Sequence, residues 1–119
     1  MFAATITITH NAVAKVLNKD KNLASGVEYY LNDGNTRFRL LINHIIPKTG
    51  AAGESHMARL NVEYYDPTTG AFIREVSSWC VIKSLLGVQV DAESEYCANA
   101  LVGFLTGANV TKLVDREIG

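Results

Sequence analysis

Trp79–Val90 (WCVIKSLLGVQV) reads as a long strand, and it runs without a linker into Asp91–Leu105 (DAESEYCANALVGFL), which has helical spacing. In the first segment Ile82, Ser84, Leu86, Val88 and Val90 lie on one face, and Val81, Lys83, Leu85, Gly87 and Gln89 on the other. At Asp91 the period changes. Asp91 suits an N-cap, and Glu93 and Glu95 suit the positive end of the helix dipole. Cys97, Leu101, Phe104 and Leu105 then form one apolar stripe, and Gly107 is placed to end the helix as its C′ residue. Asn109 can cap a second helix whose buried side carries Val110, Leu113, Val114 and Ile118.

Upstream of Trp79 nearly everything reads as β. Thr5–Thr9 alternates and is β-branched, and His10-Asn11 turns it into a second strand, Ala12–Leu17, giving an N-terminal hairpin. Asn18–Asn22 (NKDKN) reads as a polar loop. Gly26–Leu31 is a strand ended by the turn Asn32–Asn35. Thr36–Ile46 and Met57–Tyr65 both alternate. Pro47 stops pairing, Lys48–Glu54 connects, and Asp66–Gly70 turns the chain. The expected fold class is α+β: an N-terminal β-hairpin, a five-stranded antiparallel sheet and two short C-terminal helices. At 119 residues this is a single domain, with the hairpin at 1–22, the sheet at 26–90 and the helices at 91–119.

Such a sheet has a covering problem. Five strands of ten residues span about 24 Å by 33 Å, or about 800 Å² per face. A fourteen-residue helix covers a strip of only about 20 Å by 10 Å. About half of the apolar face is left bare, and bare patches of that size mark interfaces. A two-fold partner that lays its helices over the sheet is one repair; an N-terminal hairpin folded over the gap is the other.

The opposite face carries Arg37, Arg39, Asn43, Arg59, Asn61 and Lys83. Guanidinium groups pair with phosphates, and amides read exposed base edges. An ordinary solvated face has the same appearance. With a net charge of −1, any attraction for nucleic acid must be local.

Other chemistry is thinly represented. Residues 2–8 lack the basic start and long apolar core of a signal peptide, and no run is long enough to span a membrane. Cys80 and Cys97 lack metal-ligand spacing and read as reduced thiols. His44 falls on the apolar face and reads as a hydrogen-bonded core residue; Glu63 and Asp66 lack any nucleophile beside them. No catalytic residue, metal or cofactor is expected. Lys15 reads as solvent-facing.

Three stretches carry a resemblance: Gly26–Tyr30 (GVEYY), Arg59–Tyr64 (RLNVEY) before Asp66-Pro67, and Trp79 through Asp91–Cys97 into Leu101–Gly107. In that order, at this length, the chain resembles the coat proteins of the small single-stranded RNA bacteriophages, the levivirus group. The resemblance implies an interlocked homodimer with helices across the partner's sheet, assembled into an icosahedral shell around single-stranded genomic RNA. The capsid would be made in the bacterial cytoplasm, and a maturation protein is a further virion partner in such phages. Arg39, Asn43, Arg59, Asn61 and Lys83 match positions that contact RNA in the family. In studied members the same surface also binds one hairpin and represses translation. Here, however, Val81 and Lys83 stand where those members place a stacking tyrosine and an asparagine, and Leu41 replaces a small hydroxyl residue. This favours general packaging over tight hairpin recognition, with Tyr29 or Tyr65 as candidates for base stacking. The connection Pro67–Ser78 is expected to vary between copies. The alternative function is a dimeric RNA-binding regulator of translation that builds no shell.

Overall fold

The structure, a computed structural model, describes residues 2–46, 54–84 and 90–116. Six strands precede two helices: β1 (Thr5–His10), β2 (Val13–Leu23), β3 (Gly26–Asp33), β4 (Thr36–Ile45), β5 (Ser55–Tyr65), β6 (Phe72–Lys83), α1 (Asp91–Phe104) and α2 (Gly107–Val114). The strands form one antiparallel meander whose spatial order is the chain order. The sheet is therefore six-stranded, not five-stranded, because the N-terminal hairpin continues it.

The hairpin joins through β2, which is longer than its pattern suggested. Asn18–Asn22 is strand, not loop. Lys19 and Lys21 pair with Tyr29 and Glu28 across a bulge at Asp20. A charged run can hold a strand when its neighbour supplies the counter-charge, and Lys21 Nζ lies 3.1 Å from Glu28 Oε2. At the other end, His10 pairs with Val13 around a two-residue loop. Asn11 (φ 51°) and Ala12 (φ 63°) are both left-handed, as a type I′ turn requires.

The last strand also differs from expectation, starting at Phe72 and not at Trp79. The turn before it is compact: Asp66 Oδ1 accepts from Thr68 N at 2.7 Å, and Gly70 sits at φ 73°. The connection expected over Pro67–Ser78 thus contracts to the turn before Phe72, and Phe72–Ser78 pairs with β5. The expected strand residues 85–89, Pro47 with the 48–53 connection, and Ile118 lie outside the described residues.

Alternation puts Leu17, Val27, Tyr29, Phe38, Ile42 and Val62 on one face, where all are buried, with Ile6, Ile8, Leu31, Leu40, Leu60 and Tyr64 packed around them. A flat single layer could not bury them. Instead the sheet curls. His10 of β1 stacks edge-on against Phe38 of β4, with ring centroids 5.0 Å apart, and its Nε2 lies 3.4 Å from the Tyr64 hydroxyl of β5. In a flat sheet β1 and β5 would be about 19 Å apart. The Tyr29 hydroxyl donates to the Ala3 carbonyl at 2.5 Å and ties the N-terminal segment over the same core. Lys15 opposes Ile8 on this side and is ion-paired with Asp33, so the expectation that it faces solvent is corrected. The hairpin thus closes the β1–β4 half of the apolar face.

The helices close nothing. Neither contains a buried residue. A cleft of about 380 Å³ separates α1 from β6, lined by Cys80, Ile82, Cys97 and Leu101 among others. Val90, not Asp91, is the N-cap of α1, and Asp91 is its first residue. Thr106 caps α2 by accepting from Asn109 N, and Gly107 opens α2 and does not terminate α1. The Asn109 side chain instead donates to Phe104 O at 2.7 Å, holding the two helices at their bend.

Candidate nucleic-acid interface

The face opposite the core is a grid fixed by register. Across β4, β5 and β6 its rows read Arg37–Glu63–Glu75, Arg39–Asn61–Ser77, Leu41–Arg59–Trp79, Asn43–Met57–Val81 and Ile45–Ser55–Lys83. Residues directly opposite in an antiparallel pair share a face. All six sequence-derived residues, Arg37, Arg39, Asn43, Arg59, Asn61 and Lys83, therefore lie on one side of the sheet.

Their electrostatics are less uniform than a list of cations suggests. Glu28, Glu63 and Glu75 project from the same face. Arg39 lies 3.4 Å from Glu28 and 3.5 Å from Glu63, and Arg59 lies 3.9 Å from Glu75. Burial alone would lower the Arg39 pKa. The Glu28 hydrogen bond and charge, with Glu63 and Tyr30 adding, hold it above the ordinary guanidinium value. Arg39 is therefore charged and largely compensated. Among the described residues, Arg37 and Lys83 have no carboxylate partner. The Arg37 guanidinium lies over the Tyr65 ring at 4.1 Å, and its buried Nε has no hydrogen-bond partner. Tyr65 in turn donates to Glu63 at 2.5 Å; that bond, then burial, raises its pKa, with Arg37 opposing.

The amides are held in fixed orientations. Arg59 Nε donates to Asn61 Oδ1 at 2.9 Å and Ser77 Oγ to the same atom at 2.7 Å. Arg59 Nε can only donate, so the Asn61 atom facing it is the oxygen and the NH₂ points away. Asn43 Oδ1 is likewise engaged, by Ser25 Oγ at 2.6 Å.

The two aromatic candidates fare differently. Tyr29 is fully buried on the opposite face and cannot stack a base. Tyr65 is on the polar face, but its ring sits between Arg37 and Phe72. The sequence reading passed over the anions of the grid and Trp79. The alternation of Met57–Tyr65 places Glu63 on the same face as Arg59, so part of that signal was present. Trp79 was missed because it was read as a strand start, not as a mid-strand position.

His44 and His56 lie on the apolar side, facing each other across the β4–β5 ladder, with Glu54 on His56 Nε2 at 3.2 Å. No cluster of His, Cys, Asp or Glu that could hold a metal occurs among the described residues.

The described chain is thus a curled antiparallel meander with one polar face, followed by two uncovered C-terminal helices. The model of the phage phiCb5 coat protein family matches residues 3–85, and the chain belongs to that family. It is a phage coat protein, a structural protein. Among solved structures, the virus-like particle of Beihai levi-like virus 21 superposes with a TM-score of 0.81 at 13% identity, covering 100% of this chain and 98% of that one. The virus-like particle of bacteriophage AVE019 gives 0.57 at 9% identity, with the same coverage of 100% and 98%. At these identities the likeness is one of fold. No curated protein sequence matches the chain.

Proposed function

We propose that this coat protein forms two-fold dimers that assemble into an icosahedral shell and package single-stranded RNA against the polar face of the sheet. The carrying observation is the state of the helices. Tyr96 is 71% exposed, Leu113 60% and Val114 73%, and neither helix buries a residue. Helices this short are marginal in water unless an apolar face is packed, typically below about 12–15 residues. A second copy supplies the missing surface. Each protomer offers β6 as a free edge, and its exposed Val76 and Ile73 favour edge pairing over solvation. Joining two β6 edges continues the sheet and brings the helices of each protomer over the other's open β5–β6 half.

RNA packaging is supported by Arg37, Arg59 and Lys83 on one face with Asn43 and Asn61 between them. Leu41, Met57 and Val81 make the centre of that face apolar, which suits sequence-tolerant packaging better than reading one hairpin for repression. The test is expression of the chain alone, followed by negative-stain microscopy and the ultraviolet absorbance ratio. Uniform particles that absorb as nucleoprotein are expected. RNA-free dimers at physiological salt would overturn the packaging reading. Stable dimers that bind RNA with steep salt dependence but never form particles would identify a regulator instead.

A further inference from the structure

We propose that His44 and His56 form a one-proton clasp on the apolar side of the sheet, which grips the first turns of α1 as the pair takes up one proton and releases them when it takes up a second. The clasp is local to each protomer. Its consequence for assembly rests on the two-fold dimer proposed above.

His44 and His56 stand directly opposite each other in the β4–β5 ladder. Their Nδ1 atoms lie 2.8 Å apart, and the rings meet edge-on with centroids 5.0 Å apart. Two ring nitrogens at that distance hold one proton between them. Glu54 decides which ring gives it. Its carboxylate lies 3.2 Å from His56 Nε2 and can only accept, so that nitrogen carries a hydrogen. In the neutral ring Nδ1 is then a lone pair, and it accepts from His44 Nδ1–H. One further proton can enter on His44 Nε2 without disturbing this bond, and the charge can pass along the bond to His56, beside Glu54. A second would set N–H against N–H and two like charges side by side, so it must part the rings.

The first turns of α1 face this pair. A gap of about 180 Å³ beside His56 is lined by Ile82 of β6 and by Asp91, Ser94 and Glu95 of α1. The singly charged pair therefore meets three carboxylates: Glu54 ahead of β5, and Asp91 and Glu95 from the helix. Among the described residues lining the gaps around the pair, the Cys80 thiol of β6 is the other titratable group, and no lysine or arginine occurs. Approach of the helix carboxylates favours the charged pair over the neutral one. By linkage, docking of α1 strengthens as pH falls and the first proton binds. The second proton binds only with the rings parted, so stronger acid undoes the docking. In the proposed dimer α1 lies over the partner's sheet, and the clasp makes dimer closure responsive to pH.

The experiment follows full-length protein in D₂O across a pH series. The Raman band of deuterated imidazolium counts charged rings in assemblies of any size. Hydrogen exchange of peptide 91–104, corrected for its intrinsic pH dependence, reads the docking of α1. The parent and His44→Gln should carry equal numbers of charged rings near about pH 6, because the pair holds one proton and a lone His56 also holds one. The parent should gain its extra charged ring only in stronger acid, together with about a tenfold loss of α1 protection. His44→Gln should lack that coupled step. His56→Gln should lose the strengthening of α1 protection between about pH 8 and pH 6. An extra charged ring in the parent already at the first step, with α1 protection unchanged, overturns the clasp. So does an acid release of α1 that is the same in the parent and both variants. Absence of dimers at every pH overturns the two-fold reading instead, and the ring count still decides the clasp within the protomer.

Discussion

The Tyr64 hydroxyl lies 3.4 Å from His10 Nε2, although four strand spacings separate their strands in the ladder. This contact marks where the sheet closes on itself. The closure is held mainly by packing beneath it, since Phe38 is fully buried under the His10 ring. Phe38→Ala is expected to cost about 3–5 kcal/mol. Tyr64→Phe removes one long hydrogen bond and should cost about 1 kcal/mol or less. Chemical denaturation at fixed protein concentration measures both; equal losses would mean that the polar contact, not the core, holds the curl.

The turn between β1 and β2 carries a correctable strain. Ala12 sits at φ 63°, where its Cβ is crowded. Ala12→Gly should raise stability by about 0.5–1 kcal/mol, because the type I′ turn favours glycine there. A drop in thermal midpoint would count against that reading of the turn.

Gly26 works differently, since a Cβ at that position would come within 1.9 Å of the Ile42 carbonyl oxygen. Neither atom can move without breaking the β3–β4 ladder. Gly26→Ala should abolish soluble assembly. Gly34→Ala, at φ 66° with open space around it, should cost only about 1 kcal/mol and assemble normally. Soluble yield and particle counts separate the two.

Ion pairing on the polar face predicts unequal contributions to RNA binding. Lys83 has no carboxylate partner among the described residues, so Lys83→Ala should lower the slope of log affinity against log salt by about 1. Arg39, held by Glu28 and Glu63, should contribute less to that slope. The double change Arg39→Glu with Arg59→Glu adds repulsion and should lower the RNA content of particles while dimers persist. Filter binding over a salt series, with absorbance ratios of the particles, decides.

The raised pKa of Tyr65 has a definite sign. A phenol held neutral by Glu63 contributes stability that is fully present below the ordinary value of 10.0 and is lost as pH rises through its higher folded value. Ultraviolet difference titration against Tyr65→Phe should find the Tyr65 phenol ionising above its ordinary value. Glu63→Ala should return it toward that value. A Tyr65 that already ionises at its ordinary value in the parent protein would refute the hydrogen bond.

Much of this fold is legible because alternation is local. Arg37, Arg39 and Asn43 share a face by counting twos, and the register with Arg59 and Asn61 then follows from matching apolar sets. The curl is not legible, because the contact that closes it joins His10 to Tyr64, and alternation says nothing of how far a sheet bends. The start of β6 was missed because Pro67 and Gly70 promise a long loop and Phe72–Ser78 alternates poorly. Asn18–Asn22 was missed for a related reason: Lys21 pairs with Glu28 on the neighbouring strand and Lys19 reaches the Phe2 carbonyl, which a single-segment reading does not weigh. On the polar face the cations were found, while Glu28, Glu63 and Glu75 offset Arg39 and Arg59 in ways only side-chain distances reveal.

Because each strand pairs with its predecessor, the meander can zip up by successive short-range steps, which are kinetically quick and expose few sticky intermediates. The helices follow the sheet in the chain and have nothing of their own to settle on. If dimers form as proposed, that ordering is coupled to subunit concentration. A newly made protomer would then stay incomplete until neighbours accumulate, and shell growth would set in only above a threshold concentration of subunits.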